Sequence, residues 1–492
     1  MASLDELRAI RLQKLELLKK AGMDPYPAKV PRTFCLADAR KNFTEYEEGK
    51  GGKHAGETVS LTGRIMAIRG QGAILFLVLD DGKSTFQAVV KKDTLKEDLF
   101  ELLTQAVDIG DIISVTGTFF TTQRGEQSVS VTSWTMAAKA LLPLPEKWHG
   151  LQDPDEKLRK RYLDFIMDPE SRQLFFKKAK FWEVIRAFMK EEGFLEVETP
   201  TLEVTTGGAE ATPFKTHHND FDMDVFLRIS IGELWQKRLM AAGFQKIYEI
   251  GRAYRNEGTS PEHLQEFTNL EFYWAYANYE NGMDLVMRLY RKIAEEVFGT
   301  TKFTHHGHEF DLAKEWVRID YAEEIKRQTS IDINSASDKD IKDKLKELKV
   351  TFDGDNRERL TDTLWKYCRK NIAGPAFLIN HPALVAPLAK NLPGNTGTVQ
   401  MFQPIIAGSE MGRGYSELND PIDQRARFEA QQKLIEKGDT EAMMTDDEFV
   451  EMLEHGMPPT CGYGFGERLF AFLAGKPIRE TQIFPLMKPR KD

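Results

Sequence analysis

Two alternating runs, "FQKIYEIGRAYRNE" and "EFTNLEFYWAYA", bracket the polar loop of "AYRNEGTSPEHLQEF" (253–267). No other feature constrains the fold as strongly. Period-two runs joined by a Gly, Ser and Pro loop read as an antiparallel strand pair. Successive side chains of a strand point to opposite faces. On the second strand Leu270, Phe272 and Trp274 share an apolar face that has to be core, while Phe267, Asn269, Glu271 and Tyr273 share the other. On the first, Tyr248, Ile250 and Tyr254 join the apolar set, interrupted by Arg252, and Gly251, Ala253 and Arg255 oppose it. One face therefore combines two very small residues with an arginine, a glutamate, a tyrosine and a phenylalanine. Small residues beside convergent polar groups make room for a ligand over a rigid floor. A solvated face would not favour glycine and alanine next to two aromatics. The chemistry suits a nucleotide: Arg255 offers forked donors for a phosphate or carboxylate, and Phe267 offers a shelf for a purine.

A second constellation follows in the C-terminal third. "IIAGSEMGRGYSELND" is a glycine-interrupted strand carrying Glu410 and Glu417. Acidic side chains beside triphosphate-binding groups hold Mg²⁺ through oxygen. In "GYGFGERLFAFL" Arg468 opens a helix after three glycines that let a ligand approach the backbone. Neither GxxxxGK[ST] nor a strand–GxGxxG–helix unit occurs, so this is no P-loop or Rossmann site.

The remaining chain supplies a frame for these sites. Its 492 residues suffice for two or three domains. With 29% charged and 41% hydrophobic residues it has the balance of a soluble globular protein. No apolar run approaches the ~18 residues of a membrane span, and the N-terminus lacks the apolar stretch of a secretory signal. Cys35, Cys368 and Cys461 are too scattered for a disulfide framework or a metal set, which points to the reducing cytoplasm. A net charge of −9 argues against general DNA binding but leaves room for a local basic footprint. Two candidates are Lys157, Arg159, Lys160 and Arg161, and the arc of Arg8, Arg11 and Lys19 on the first helix. Either reads equally well as a solvated helix face. That first helix opens on a capping box, Ser3 with Glu6, runs to about Ala21, and ends at "GMDPYPAKVP".

From 58 to 138 five short β-rich runs and one helical stretch, "DTLKEDLFELLTQA", suggest a small barrel of OB type. Such barrels bind single-stranded nucleic acid through aromatic and basic groups, and Arg64, Arg69, Phe76 and Gln87 have suitable chemistry. A purely structural barrel would show the same pattern. The expected architecture is α+β: a basic helix and lead-in over 1–50, the barrel over 51–145, a linker over 146–170, and a sheet-based unit over 171–492. A polar helical insertion is expected at 321–372, and "LEVETPTLE" reads as a strand whose Pro200 suits an edge or boundary.

These residues resemble the class II (subclass IIb) lysyl-tRNA synthetases over nearly the whole chain. Motif 1 is "GFLEVETPTLE", motif 2 "YRNEG…HLQEFTNLEFYWAYA" and motif 3 "GYGFGERLFAF". "GGAEATPFKTHHN", "PLPEKWHGLQD", "KRYLDF", "YSELND" and "EHGMPPT" are similar to that subfamily. The resemblance implies an antiparallel class II catalytic sheet, an anticodon-reading OB-fold and a homodimer built partly on motif 1. It implies a lysine–tRNA ligase that makes lysyl-adenylate from lysine and ATP with Mg²⁺ and passes lysine to tRNA(Lys). Arg255 would grip the α-phosphate and the lysine carboxylate, Glu257 and His263 would lie over the nucleotide, and Phe267 and Arg468 would sandwich adenine. Arg255 and Arg468 would be the catalytic pair. The lysine site would comprise Gly208, Glu233, Glu271, Tyr273, Tyr415 and Glu417. Mg²⁺ would lie on Glu410 and Glu417. Arg69, Phe76, Gln87 and Glu126 match the anticodon-reading positions. A buried ammonium needs carboxylate partners, which Glu271 and Glu417 supply.

The sequence also departs from the family. Arg413 stands where asparagine is usual and Gln403 where a second metal-binding glutamate is common, which leaves the number of Mg²⁺ ions open. Thr212 replaces a commoner arginine. "LRISIGELW" is one residue longer than usual before Glu233, and motif 3 one shorter before Arg468. Competing readings are an aspartyl or asparaginyl relative, which would want extra arginine near Tyr273 and Glu417, and a catalytically weak synthetase-like RNA-binding protein, which would have eroded motifs 2 and 3.

Overall fold

The computed structural model describes residues 3–70, 72–145, 151–209, 211–258, 260–352, 357–383, 386–436 and 443–490. Two compact units emerge, 1–171 and 172–492. Of the expected linker, 146–150 lie outside the described residues, as do 210 in the "GGAEATPF" stretch and 259 in the motif 2 loop.

The first unit begins with the helix Leu4–Lys20, capped as its sequence requires: the Glu6 N–H donates to Ser3 Oγ at 3.2 Å and the Ser3 N–H to Glu6 Oε2 at 2.6 Å. Arg11 does not belong to an exposed basic arc. It is buried and donates to the carbonyls of Ile109 at 3.0 Å and of Ala140 and Leu142 at 3.1 Å. Arg161 likewise leaves the basic candidate near 160, because it is buried against Asp164 at 3.1 Å. Five strands follow: β1 (Val59–Arg69), β2 (Ile74–Asp80), β3 (Thr85–Lys91), β4 (Ile112–Thr121) and β5 (Gln127–Ala138). They close into a barrel in the order β1-β2-β3-β5-β4, with β3 and β5 parallel and the helix Glu97–Ala106 inserted between β3 and β4.

Alternation in "ILFLVLD" turns Leu75, Leu77 and Leu79 inward and Phe76 outward. Arg69 pairs with Phe76, and Gln87 with Val78 next to it, so three of the four expected anticodon-reading positions share one outer face. Glu126, exposed, precedes β5, whose Ser128 accepts from Gln87 Nε2 at 2.8 Å. Arg64 is not available there, since its guanidinium donates to the Gly110 carbonyl at 2.7 Å.

The second unit is built on a sheet of eight principal strands. These are β6 (Leu195–Glu196), β7 (Lys246–Tyr254), β8 (Glu266–Ala275), β9 (Val317–Asp320), β10 (Ala376–Pro382), β11 (Asn395–Ile406), β12 (Arg413–Ser416) and β13 (Thr460–Gly466). Their order is β9-β10-β11-β12-β13-β8-β7-β6, antiparallel except at its two ends. Helix Tyr279–Ile293 buries Leu285, Val286 and Leu289 against Phe272, Phe402 and Phe465 of one face. The strand expected through Pro200 breaks in two. Leu195–Glu196 takes the sheet edge, Leu202–Glu203 joins a separate three-stranded sheet, and Pro200, lacking an N–H for either ladder, falls between them. Within 321–372, helices Tyr321–Thr329, Asp338–Glu347 and Arg357–Cys368 close over Ile325, Leu345, Leu360 and Trp365. Among the described residues no helix is long and apolar enough to cross a membrane.

Candidate active site

The β7–β8 ladder pairs Glu249 with Glu271, Gly251 with Asn269 and Ala253 with Phe267, so the face read from parity exists. Gly251, however, makes room for a side chain rather than a ligand. A Cβ there would sit 2.0 Å from Arg228 Nη2, whose Nη1 holds Glu249 at 2.6 Å. Glu249 also accepts from the Thr199 N–H at 3.0 Å and hydroxyl at 2.6 Å. This buried pair stands on the same face of the sheet as Glu271, beside the cavity.

The glycines that open the site belong to β13. β8 pairs Glu271 with Gly464 and Tyr273 with Gly462, and from the other side Arg413 pairs with Gly464 and Tyr415 with Gly462. Two rows of functional side chains thus flank a strip with no side chains of its own. A Cβ at 462 would lie 2.0 Å from Glu417 Oε1, and one at 466 would lie 2.2 Å from Asn269 Oδ1. Above this strip is a cavity of about 430 Å³. Every residue of the larger unit expected to bind ATP, lysine or Mg²⁺, from Gly208 to Arg468, lines it.

One end of the cavity is acidic. Glu233, Glu271 and Glu417 are all buried there. Glu271 accepts from the Ile231 N–H at 2.8 Å and the Tyr273 hydroxyl at 3.2 Å, and Tyr415 donates its hydroxyl to Glu233 Oε1 at 2.5 Å. Burial raises the Glu271 carboxyl well above its usual range, and the Glu233 charge raises it further. Burial does the same to Glu417, opposed by the ammonium of Lys237 and reinforced by Glu233 and Glu271. Burial alone would pull Lys237 down, but Glu233 and Glu417 more than offset it and its ammonium is held charged. Three buried acidic groups share this end with one internal cation, which pairs with two of them, so this end favours a positively charged ligand.

The other end is basic. Arg255 Nε donates to the Ile229 carbonyl at 3.3 Å, and its guanidinium carbon lies 5.3 Å from the centre of the Phe267 ring. Burial lowers its proton affinity, Glu257 and Glu271 oppose that, and Arg413 adds to it. Arg468 pairs with Glu262 of the motif 2 loop, where His263 Nδ1 meets Ser260 Oγ at 2.7 Å. The Arg413 side chain lines the cavity and forms no hydrogen bond or ion pair among the described residues.

For a divalent cation the donor set is sparse. Glu410 accepts from Trp365 Nε1 at 2.8 Å and lies 3.8 Å from Arg369 Nε, both on Oε1. Gln403 Oε1 accepts from His381 Nε2 at 2.8 Å, and Glu417 is 2.5 Å from the Lys237 ammonium. Among the described residues no group of three or more acidic, histidine or cysteine side chains is placed to hold a metal. This fits an ion carried mainly by substrate phosphates and anchored by one carboxylate, a common mode for Mg²⁺. Glu417, expected among the metal ligands, gives its Oε2 to the Lys237 ammonium.

Residues 153–488 match the family model described as tRNA synthetases class II (D, K and N), and 59–137 match the OB-fold nucleic acid binding domain. The chain belongs to the class II tRNA synthetases. Among its relatives, proteins named lysine–tRNA ligase from Thermotoga sp. (strain RQ2) and Moorella thermoacetica are each 41% identical to it. They align over 99% of this chain, and over 97% and 99% of their own lengths respectively. One of the same name from Clostridium perfringens is 42% identical over 99% of this chain and 97% of its own length. In this class II synthetase the sequence reading missed Lys237 and the Arg228–Glu249 brace. Lys237 had a visible signal, since it lies four residues after Glu233 on one helix face. Arg228 had none, because its partner Glu249 lies on β7, 21 residues along the chain.

Proposed function

We propose that the chain is a lysine–tRNA ligase. The observation that carries this reading is the acidic end of the cavity, where Glu233, Glu271 and Glu417 are buried beside Tyr273 and Tyr415 and next to Arg255. An amino acid with a cationic side chain neutralises that end. An aspartate would bring a further negative charge to it.

The lysine α-amine is held by Glu233 and the Gly208 backbone, and its ε-ammonium by Glu417 and Tyr273 with Glu271 and Tyr415 nearby. Arg255 draws together the lysine carboxylate and the α-phosphate of ATP, with adenine received beside Phe267 and Arg468, and Glu257 and His263 over the nucleotide. The carboxylate attacks the α-phosphorus in line, giving lysyl-adenylate and pyrophosphate. A ribose hydroxyl of the terminal adenosine of tRNA(Lys) then attacks the acyl carbon, and AMP leaves. No protein nucleophile is needed; positioning and neutralisation of developing charge by Arg255 and Arg468 lower the barrier. Glu410 is the residue that would hold Mg²⁺, which supplies neutralisation of phosphate charge when bound. The anticodon falls on the barrel face of Arg69, Phe76, Gln87 and Glu126, and the enzyme works as a homodimer in the cytoplasm.

Pyrophosphate exchange with each of the twenty amino acids tests the reading. Exchange with lysine alone is expected. Exchange with aspartate or asparagine and not lysine would place the chain with the other members of the group. No exchange in folded protein would favour an RNA-binding role.

A further inference from the structure

Behind the carboxylates of the lysine pocket stands a lysine of the chain itself. Lys237 lies one turn after Glu233 on the helix Glu233–Ala241, and only 1% of its side chain is exposed. Its Nζ is 2.7 Å from Glu233 Oε1 and 2.5 Å from Glu417 Oε2. The rings of Tyr415 and Phe449 lie 5.5 and 5.9 Å from it, so its surroundings are otherwise aromatic. A buried ammonium persists where carboxylates pair with it, and here two segments far apart in sequence share one cation.

The remaining oxygens of the same carboxylates point elsewhere. A Cβ on Gly208 would lie 2.9 Å from Glu233 Oε2, and one on Gly462 would lie 2.0 Å from Glu417 Oε1. Both glycines line the cavity. Each carboxylate therefore gives one oxygen to Lys237 and presents the other at the cavity wall. Tyr415 adds a second donor to Glu233 Oε1 at 2.5 Å, so the oxygen facing Lys237 is the one already occupied.

We propose that Lys237 is a positioning residue that sets the separation of Glu233 and Glu417, and through it the distance between the two ammonium groups of the amino acid the pocket selects. This rests on the reading of the pocket as a lysine site. Without the bridging cation the two carboxylates repel each other and lose their common anchor. The pocket then still attracts a diamino acid but no longer measures its length. The substrate class this device discriminates is the ω-amino-α-amino acids, with lysine accepted and its one-carbon-shorter homologue ornithine rejected.

The experiment is pyrophosphate exchange by the full-length enzyme with lysine and with ornithine, for the wild type, Lys237→Met and Lys237→Arg. Lys237→Met should raise KM for lysine at least tenfold, leave KM for ATP within twofold, and lower the lysine-to-ornithine ratio of kcat/KM at least tenfold. Lys237→Arg keeps the charge with a longer reach. It should recover part of the lysine KM while still lowering the ratio, and it carries the test alone if Lys237→Met does not fold. A lysine-to-ornithine ratio unchanged in a folded variant, or KM for ATP rising in parallel with KM for lysine, overturns the proposal and leaves a purely structural ion pair. Failure of the wild type to exchange with lysine, while exchanging with another amino acid, would instead remove the reading on which the proposal stands.

Discussion

His381 is buried beside Gln403, and loss of solvent pushes its imidazole down to about 3; the Gln403 hydrogen bond opposes this and the nearby Arg413 adds to it. The ring is therefore neutral in the folded protein at any ordinary pH. The unfolded chain takes up that proton below about pH 6.5. The contribution of His381 to stability is thus complete above pH 6.5 and is lost as the pH falls from there towards 3. At pH 4.5 the loss should be about 2 to 3 kcal/mol. Urea unfolding of the wild type and of His381→Gln at pH 7 and pH 4.5 measures it. The variant should lose less stability between the two values, and an identical loss in both would contradict the buried neutral ring. The side chain of Arg413, in contrast, has no hydrogen-bond or ion-pair partner among the described residues. Arg413→Asn should change stability by no more than about 0.5 kcal/mol and keep lysine affinity within about tenfold, or about 1.4 kcal/mol. A much greater loss in lysine-dependent exchange would make the arginine an essential member of the pocket.

At the scale of single elements, β13 does something that no side chain could do. Its glycines at 462 and 464 run between the rows carried by β8 and β12, Gly466 faces Asn269 of β8, and each leaves space that a neighbouring side chain fills. Gly462→Ala would drive a methyl group into Glu417 and Tyr273, with Cβ contacts of 2.0 and 2.7 Å. Lysine-dependent pyrophosphate exchange should fall at least a hundredfold, about 2.7 kcal/mol in kcat/KM, while circular dichroism shows a folded protein. Retention of exchange would mean that Glu417 is free to move. The β7–β8 pair was legible because two alternating runs and a polar loop are a local pattern. The Gly251 cavity was misread for a related reason: parity tells which face a residue occupies, but not that Arg228 arrives from a different segment to fill it. Pro200 likewise marked an interruption correctly, while the second small sheet that receives Leu202–Glu203 depends on neighbours distant in sequence.

At the scale of the whole molecule, the two proposed tasks fall on two units. The barrel presents Arg69, Phe76 and Gln87 on one outer face, and the larger unit holds the cavity. Phe76→Ala should therefore weaken charging of tRNA(Lys) by ten- to a hundredfold, the ~1–3 kcal/mol of a lost base stack, and leave lysine-dependent pyrophosphate exchange unchanged. Equal loss in both assays would exclude an anticodon role for this residue. The sequence by itself determined the local periodicities: the capped first helix, the inward leucines of the barrel, the ligand-facing row of β8 and the glycine strip of β13. These follow from backbone geometry that repeats every two or about 3.6 residues. Only the tertiary structure decided that Arg11 is an internal brace, that Gly251 serves Arg228, and that Lys237 joins Glu233 to Glu417. Each depends on a partner brought from elsewhere in the chain by strand order and packing. A buried charge chooses its partner by proximity in space, and one-dimensional spacing does not contain that distance.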